Sequence, residues 1–346
     1  MTGVAGIVRR ARRPAGWRVP GPRPATPDDR PDLWPGVGED LCHLAGDWRI
    51  LQLVRGHRWS LDDLVTAWFG AELLRESPPG RFVDLGCGIG TVLLLTAWRF
   101  PEALGLGIEA QQQSADLARR SIAWNGVESR CRVRCADLRE PASLFGEEAC
   151  DLVTATPPYL LVGSAHSSTR PQCAACHLEQ RGGVEDFTQA AARLLAPQGW
   201  FVTCAAAAQV ERVTRGAARA GLAVVRRMDV VPREGKRCCS RCGRCVGTIT
   251  SVRSGSIGRS SSVTDWDVGP SSSARCGQAW ACRREAAGGA PLVYSCAPWL
   301  RVTRLAPSAA ASRASTSARR SARWRCAATG SPRRTTHPVT SLAPAR

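Results

Sequence analysis

Lysine is almost missing from this chain: of 47 basic residues, only Lys236 is not arginine. Together with abundant alanine, glycine and proline, that bias marks a GC-rich coding sequence. Also missing is any apolar run near the roughly 18 residues that cross a bilayer, so a soluble protein is expected. No acid precedes Asp28, and no secretory signal is recognisable. A reducing, cytoplasmic setting is the expectation. An organelle transit peptide is also arginine-rich and acid-poor, but this leader has no serine and its prolines interrupt any helix. The net charge of +18 resembles a nucleic-acid signature. Its distribution argues otherwise: from Cys238 on, 17 arginines meet 3 acids, which leaves only +4 for the first 237 residues. The 16 cysteines divide evenly between body and tail. Those of the body, such as Cys150 and Cys204, stand singly in apolar contexts, as inert buried thiols do.

What is present is organised around Arg81 to Gly90, RFVDLGCGIG. An apolar run ends at Asp84-Leu85, and Gly86, Gly88 and Gly90 follow at alternate positions. A helical apolar run then begins at Thr91. This reads as strand, tight turn, helix. Glycine serves where φ is positive or where backbone must approach a ligand. The helix start adds unpaired N–H groups and a positive dipole end. Such a turn suits a nucleotide-like or carboxylate-bearing ligand; a plain loop that uses glycine for packing has the same pattern.

Downstream, strands and helices alternate. Strands are expected at 103–108, 131–135, 151–155, 200–205 and 222–231, and helices at 114–124, 184–195 and 207–220. Upstream, 48–53 reads as a strand, and Ser60 caps a helix with Asp62 and Asp63 in its first turn. This alternation means a parallel sheet covered on both faces, with ligands beyond the carboxyl ends of the strands. Those ends carry Asp84, Glu109, Asp137 and the run Thr156-Pro157-Pro158-Tyr159. Glu109 falls about 20 residues past the glycines, where an acid can hold ribose hydroxyls. A dinucleotide enzyme would use the same acid, but the spacing here is G-x-G-x-G, and hydride transfer has no call for Pro-Pro-Tyr.

The set DLGCGIG, GIEA, SIAWNG, ADLRE and TPPY resembles the class I S-adenosylmethionine-dependent methyltransferases, in their amino-methylating branch. The flanks LQLVRGHRWSLDDLVTAWF and HLEQRGGVEDFTQAAARLLAPQGWF are similar to the valine-tRNA adenine-N6 methyltransferase family. The resemblance covers about residues 44–236. It implies a Rossmann-like, doubly wound, mostly parallel α/β sheet and S-adenosylmethionine as cofactor. It implies that Gly86, Gly88 and Gly90, with Asp84, receive the methionine end, and that Glu109 holds the ribose. Asp137 would accept from the adenine amine, with Ala136 or Leu138 on the ring. Thr156, Pro157, Pro158 and Tyr159 would form the catalytic turn, Tyr159 stacking on the target base. Arg170 and Arg181 would contact RNA phosphate. Thr156 departs from the family's Asn, whose side-chain oxygen accepts a proton from the amine; a threonine hydroxyl is shorter and can donate.

Cys173-Ala-Ala-Cys176-His177 has haem-attachment spacing, but the family has a loop there, and His177 with Glu179 fits its His-Glu pattern. Cys239, Cys242 and Cys245 lack the second pair that structural zinc requires, so no metal is expected. The resemblance stops at Lys236. Shifted by two nucleotides, GC-rich codons for the next residues can read Leu-Leu-Phe-Thr-Leu-Arg-Arg, the apolar strand this fold needs next. The tail therefore reads as out of frame, or else as a disordered basic RNA-binding segment. The family's seventh strand, which lies between the fifth and sixth, is then lost, or is replaced by Cys239 to Thr250. The expected organisation is a disordered leader (1–40), a methyltransferase domain (41–237) and a low-complexity tail (238–346). The expected function is N-methylation of an RNA adenine, with tRNA the first candidate. A protein glutamine N-methyltransferase and a catalytically weak RNA-binding relative are the alternatives.

Overall fold

The computed structural model describes residues 5–231, apart from 12, 141–143, 145–148, 162 and 164–170, and short strands of the tail. The strands are β1 (Ile7–Val8), β2 (Glu39–His43), β3 (Arg49–Leu53), β4 (Arg81–Leu85), β5 (Leu104–Glu109), β6 (Cys131–Cys135), β7 (Cys150–Ala155), β8 (Leu195–Ala205), β9 (Leu222–Val231) and β10 (Thr248–Ser254). The helices are α1 (Leu61–Leu73), α2 (Thr91–Arg99), α3 (Gln112–Trp124), α4 (Pro171–His177), α5 (Val184–Leu194) and α6 (Val210–Arg219). The main sheet runs β9-β10-β8-β7-β4-β5-β6. Its strands from β6 to β8 pair in parallel, and β10 is antiparallel to both neighbours. Beyond β9 the sheet continues through Arg323–Ala327 and Arg301–Arg304.

Alternation along β4 shows why both faces are covered. Phe82 packs with α1, α2 and α3 on one face, while Val83 and Leu85 pack with α5 and α6 on the other. Period-2 placement in a doubly covered strand requires apolar residues in both directions. The order of strands puts the switch of direction between β4 and β7, so the loops after these two strands diverge and leave a crevice.

Three regions differ from expectation. The expected gap between β8 and β9 is filled by Thr248–Ser254, a later start than the Cys239–Thr250 segment anticipated, and this strand lies beyond residue 237. The leader is not a disordered segment over its described residues. Ile7–Val8 pairs with Asp40–Leu41, Arg9 bonds Asp40 at 3.0 Å, and both Arg13 and Arg23 pair with Asp47. Acids of the body neutralise the leader's arginines and hold it down. Finally, β8 begins at Leu195 rather than Trp200, and a register shift opposite Cys150–Leu152 absorbs the Pro197-Gly199 segment. The readings of the tail as out of frame or as an RNA-binding arm fall on residues outside those described.

Candidate active site

Gly86, Gly88 and Gly90 take φ of +63°, +55° and +88°, a region that costs a side chain strain. A Cβ on Gly86 would meet the Phe187 ring at 2.8 Å, whereas one on Gly88 would meet nothing within 4 Å. The turn therefore shows bare backbone to open space. Under it, Asp84 is 2 % exposed. It accepts from the Leu93 amide at 3.1 Å and from the Thr154 hydroxyl at 2.8 Å. Burial pushes its carboxyl up to about 8, only partly offset by Thr154 and Leu93. Glu109 accepts from the amides of Gly88 (2.8 Å) and Gln111 (2.7 Å), and burial raises its carboxyl too. Asp137 is different: a bidentate Arg139, at 2.9 and 2.6 Å, holds it below the ordinary carboxylate range.

Gly86, Gly88, Glu109 and Asp137 border one cavity of about 350 Å³, whereas Asp84 and Gly90 do not line it. Thr156, Pro157, Pro158 and Tyr159 line the same space from the end of β7. The turn is held by the Gln209 side chain, which donates to the Tyr159 carbonyl at 2.7 Å. The Tyr159 hydroxyl donates to Asp62 at 2.7 Å and lies 2.9 Å from the Cys204 thiol. Arg181 is exposed at the rim, where its charge acts on Glu109 and Asp137. Arg170 lies outside the described residues.

In the sequence Asp62 and Asp63 read only as helix-start charges, yet both line the cavity. Cys173-Ala-Ala-Cys176-His177, where the resembled family has a loop, instead belongs to α4, a helical strap along the cavity wall. The strap is fixed by Gln172, 5 % exposed, which accepts from the His57 amide at 2.9 Å and donates to Ser114 at 3.1 Å. His57 and His177 then meet edge to face, 5.9 Å apart. The SIAWNG motif also has a structural part: Ser121 and Asn125 accept from the Leu51 and Arg49 amides at 2.9 Å each, which docks β3 on α3.

A sheet of this order with one antiparallel strand, and a glycine turn and a Pro-Pro-Tyr turn opening into one crevice, defines the class I methyltransferase fold. Within it, residues 63–209 match the family model of the methyltransferase small domain. A tRNA1(Val) (adenine(37)-N6)-methyltransferase of Porphyromonas gingivalis is 33% identical over 138 residues, 39% of this chain and 53% of the relative. One from Tolumonas auensis is 29% identical over 160 residues, 45% of this chain and 64% of the relative. A release factor glutamine methyltransferase of Caulobacter vibrioides is 35% identical over 78 residues, 22% of this chain and 26% of the relative. The chain thus spans about half the length of the first of these relatives.

Proposed function

We propose that the protein is an S-adenosylmethionine-dependent N-methyltransferase whose acceptor is the exocyclic amine of an adenine in RNA, with tRNA the first candidate. One observation carries this reading: the Thr156–Tyr159 turn opens into the same cavity as the glycine turn, Glu109 and Asp137. The cavity fits the cofactor on its own chemistry. Bare backbone at Gly88 leaves room for the methionine end. Glu109 presents a carboxylate for the ribose, and Asp137 takes the adenine amine in exchange for Arg139. Asp63 lines the cavity with its ionised form disfavoured by burial, and a cationic ligand beside it would offset that cost. The bound cofactor supplies an electrophilic methyl group; the protein's task is to hold the amine in line with it and to accept its proton. Relatives named as tRNA adenine methyltransferases support the RNA acceptor. The release factor glutamine methyltransferase, similar over the stretch it shares, keeps a protein glutamine as the second reading.

Calorimetry on the full chain tests the cofactor site. Micromolar binding of S-adenosylmethionine is expected, with a loss of about tenfold or more in Asp137→Ala, since a hydrogen bond to a charged group contributes about 1.5–3 kcal/mol. Labelled methyl transfer to unmodified tRNA, with a glutamine-bearing protein alongside, tests the acceptor. No cofactor binding by the folded chain overturns the reading.

A further inference from the structure

Thr156 leaves the catalytic turn without the amide oxygen that would receive a proton from the acceptor amine. The structure supplies a carboxylate at that place. Asp63, 6 % exposed, lines the cavity from the first turn of α1. The Thr156 side chain lies close enough to favour its ionised form. Its other role is local: the amide and hydroxyl of Ser60 donate to it at 2.8 and 3.3 Å. Both of those bonds land on Oδ2, so capping the helix does not consume Oδ1. The neighbouring acid is committed elsewhere, because Asp62 receives the Tyr159 hydroxyl.

We propose that Asp63, oriented by Thr156, is the proton acceptor for the amine that is methylated, in place of a side-chain amide on the Pro-Pro-Tyr turn. This rests on the methyltransferase reading above. As the amine nitrogen bonds to the methyl carbon, the methyl–sulfur bond breaks with its electron pair on sulfur. The nitrogen sheds one proton, and the Asp63 carboxylate takes it up. Burial places Asp63 at about 7, with Ser60 opposing the shift and Asp62 adding to it. That is a useful value for a base working near neutrality. The titratable groups facing it are Asp62 on its own turn, Asp84 below the glycine turn, Cys176 on the strap and Cys204 on β8. His177 acts on the adjacent Asp62.

The test needs no acceptor substrate. Sinefungin carries an amino group where the cofactor carries its methyl; S-adenosylhomocysteine carries nothing there. The full chain is expected to bind sinefungin about tenfold more tightly, through a charge-assisted bond to Asp63. Asp63→Asn, which retains an oxygen to cap Ser60, should remove that preference and leave S-adenosylhomocysteine affinity unchanged. In the unaltered protein the preference should also grow as pH rises through about 7, a readout independent of any variant. A preference that survives Asp63→Asn, or one that is absent or flat with pH in the unaltered protein, overturns the role of Asp63. Failure of the folded protein to bind either ligand overturns the methyltransferase reading itself, and the proposal with it.

Discussion

At the scale of single residues, the cavity stores unfavourable charge. Burial raises Asp84 to about 8 and Asp63 to about 7. A carboxyl whose folded value lies above its unfolded one stabilises the fold at low pH, and that contribution fades as pH rises through the folded value. His43 works in the opposite sense, because burial holds it near 4 against an ordinary 6.5 and its own penalty disappears above that. The window from about 6.5 to 8 therefore belongs to the carboxyls. Without ligand, the protein should lose on the order of 2 kcal/mol of stability across that window, read as a falling thermal midpoint. Asp63→Asn should flatten part of the slope. The glycines and strand-end acids were legible in the sequence because each has a role fixed by backbone position. Asp63 was not. Its place in a capping box gives a sufficient local reason for an acid there, and only the fold brings Thr156 beside it.

At the scale of elements, α4 is the part most easily separated from the rest. Seven residues are too few for a helix to persist alone, so its position depends on Gln172 and on the backbone pairing of Leu160 with Leu178. Gln172→Ala removes two hydrogen bonds and should cost about 1–3 kcal/mol locally. Faster amide exchange confined to Pro171–His177, with weaker S-adenosylhomocysteine binding and a nearly unchanged global unfolding midpoint, is the expected outcome. The long helices were readable from apolar period; α4 is too short to show one, and its Cys-x-x-Cys-His spacing drew attention to metals instead. β10 was legible in part. Thr248, Ile249, Thr250 and Val252 are β-branched and stand between Gly247 and Gly255, an ordinary strand signal. The replacement strand expected over Cys239–Thr250 overlaps its start, but the bounds lie later, at Thr248–Ser254.

At the scale of the whole molecule, the sheet is closed by a strand from beyond the family-like region. β10 pairs along its length with β8 on one side and β9 on the other. A chain ending at residue 231 keeps both neighbours but leaves their facing edges unpaired. It should be recovered largely as aggregate, while a chain ending at residue 254 should be soluble and show a cooperative thermal transition. Equal solubility of the two would contradict the place given to β10. The leader belongs at this scale as well. Arg9, Arg13 and Arg23 pair with acids 24 to 34 positions away, so composition alone suggests a solvated arm and the tertiary fold shows the pairing.

The position of β10 also orders events during synthesis. The strands from β4 to β9 emerge in chain order, and domains begin to fold from the amino-terminal side as they are made. The slot between β8 and β9 must stay open until residue 254 has left the ribosome. The middle of the sheet is thus completed by the entry of a strand between two that already stand in place, not by its addition to a free edge. A pause in translation just before that point would hold the nascent chain with its two stickiest surfaces exposed. Slower elongation over that short stretch is therefore expected to lower the soluble yield, which synonymous-codon variants of it would show.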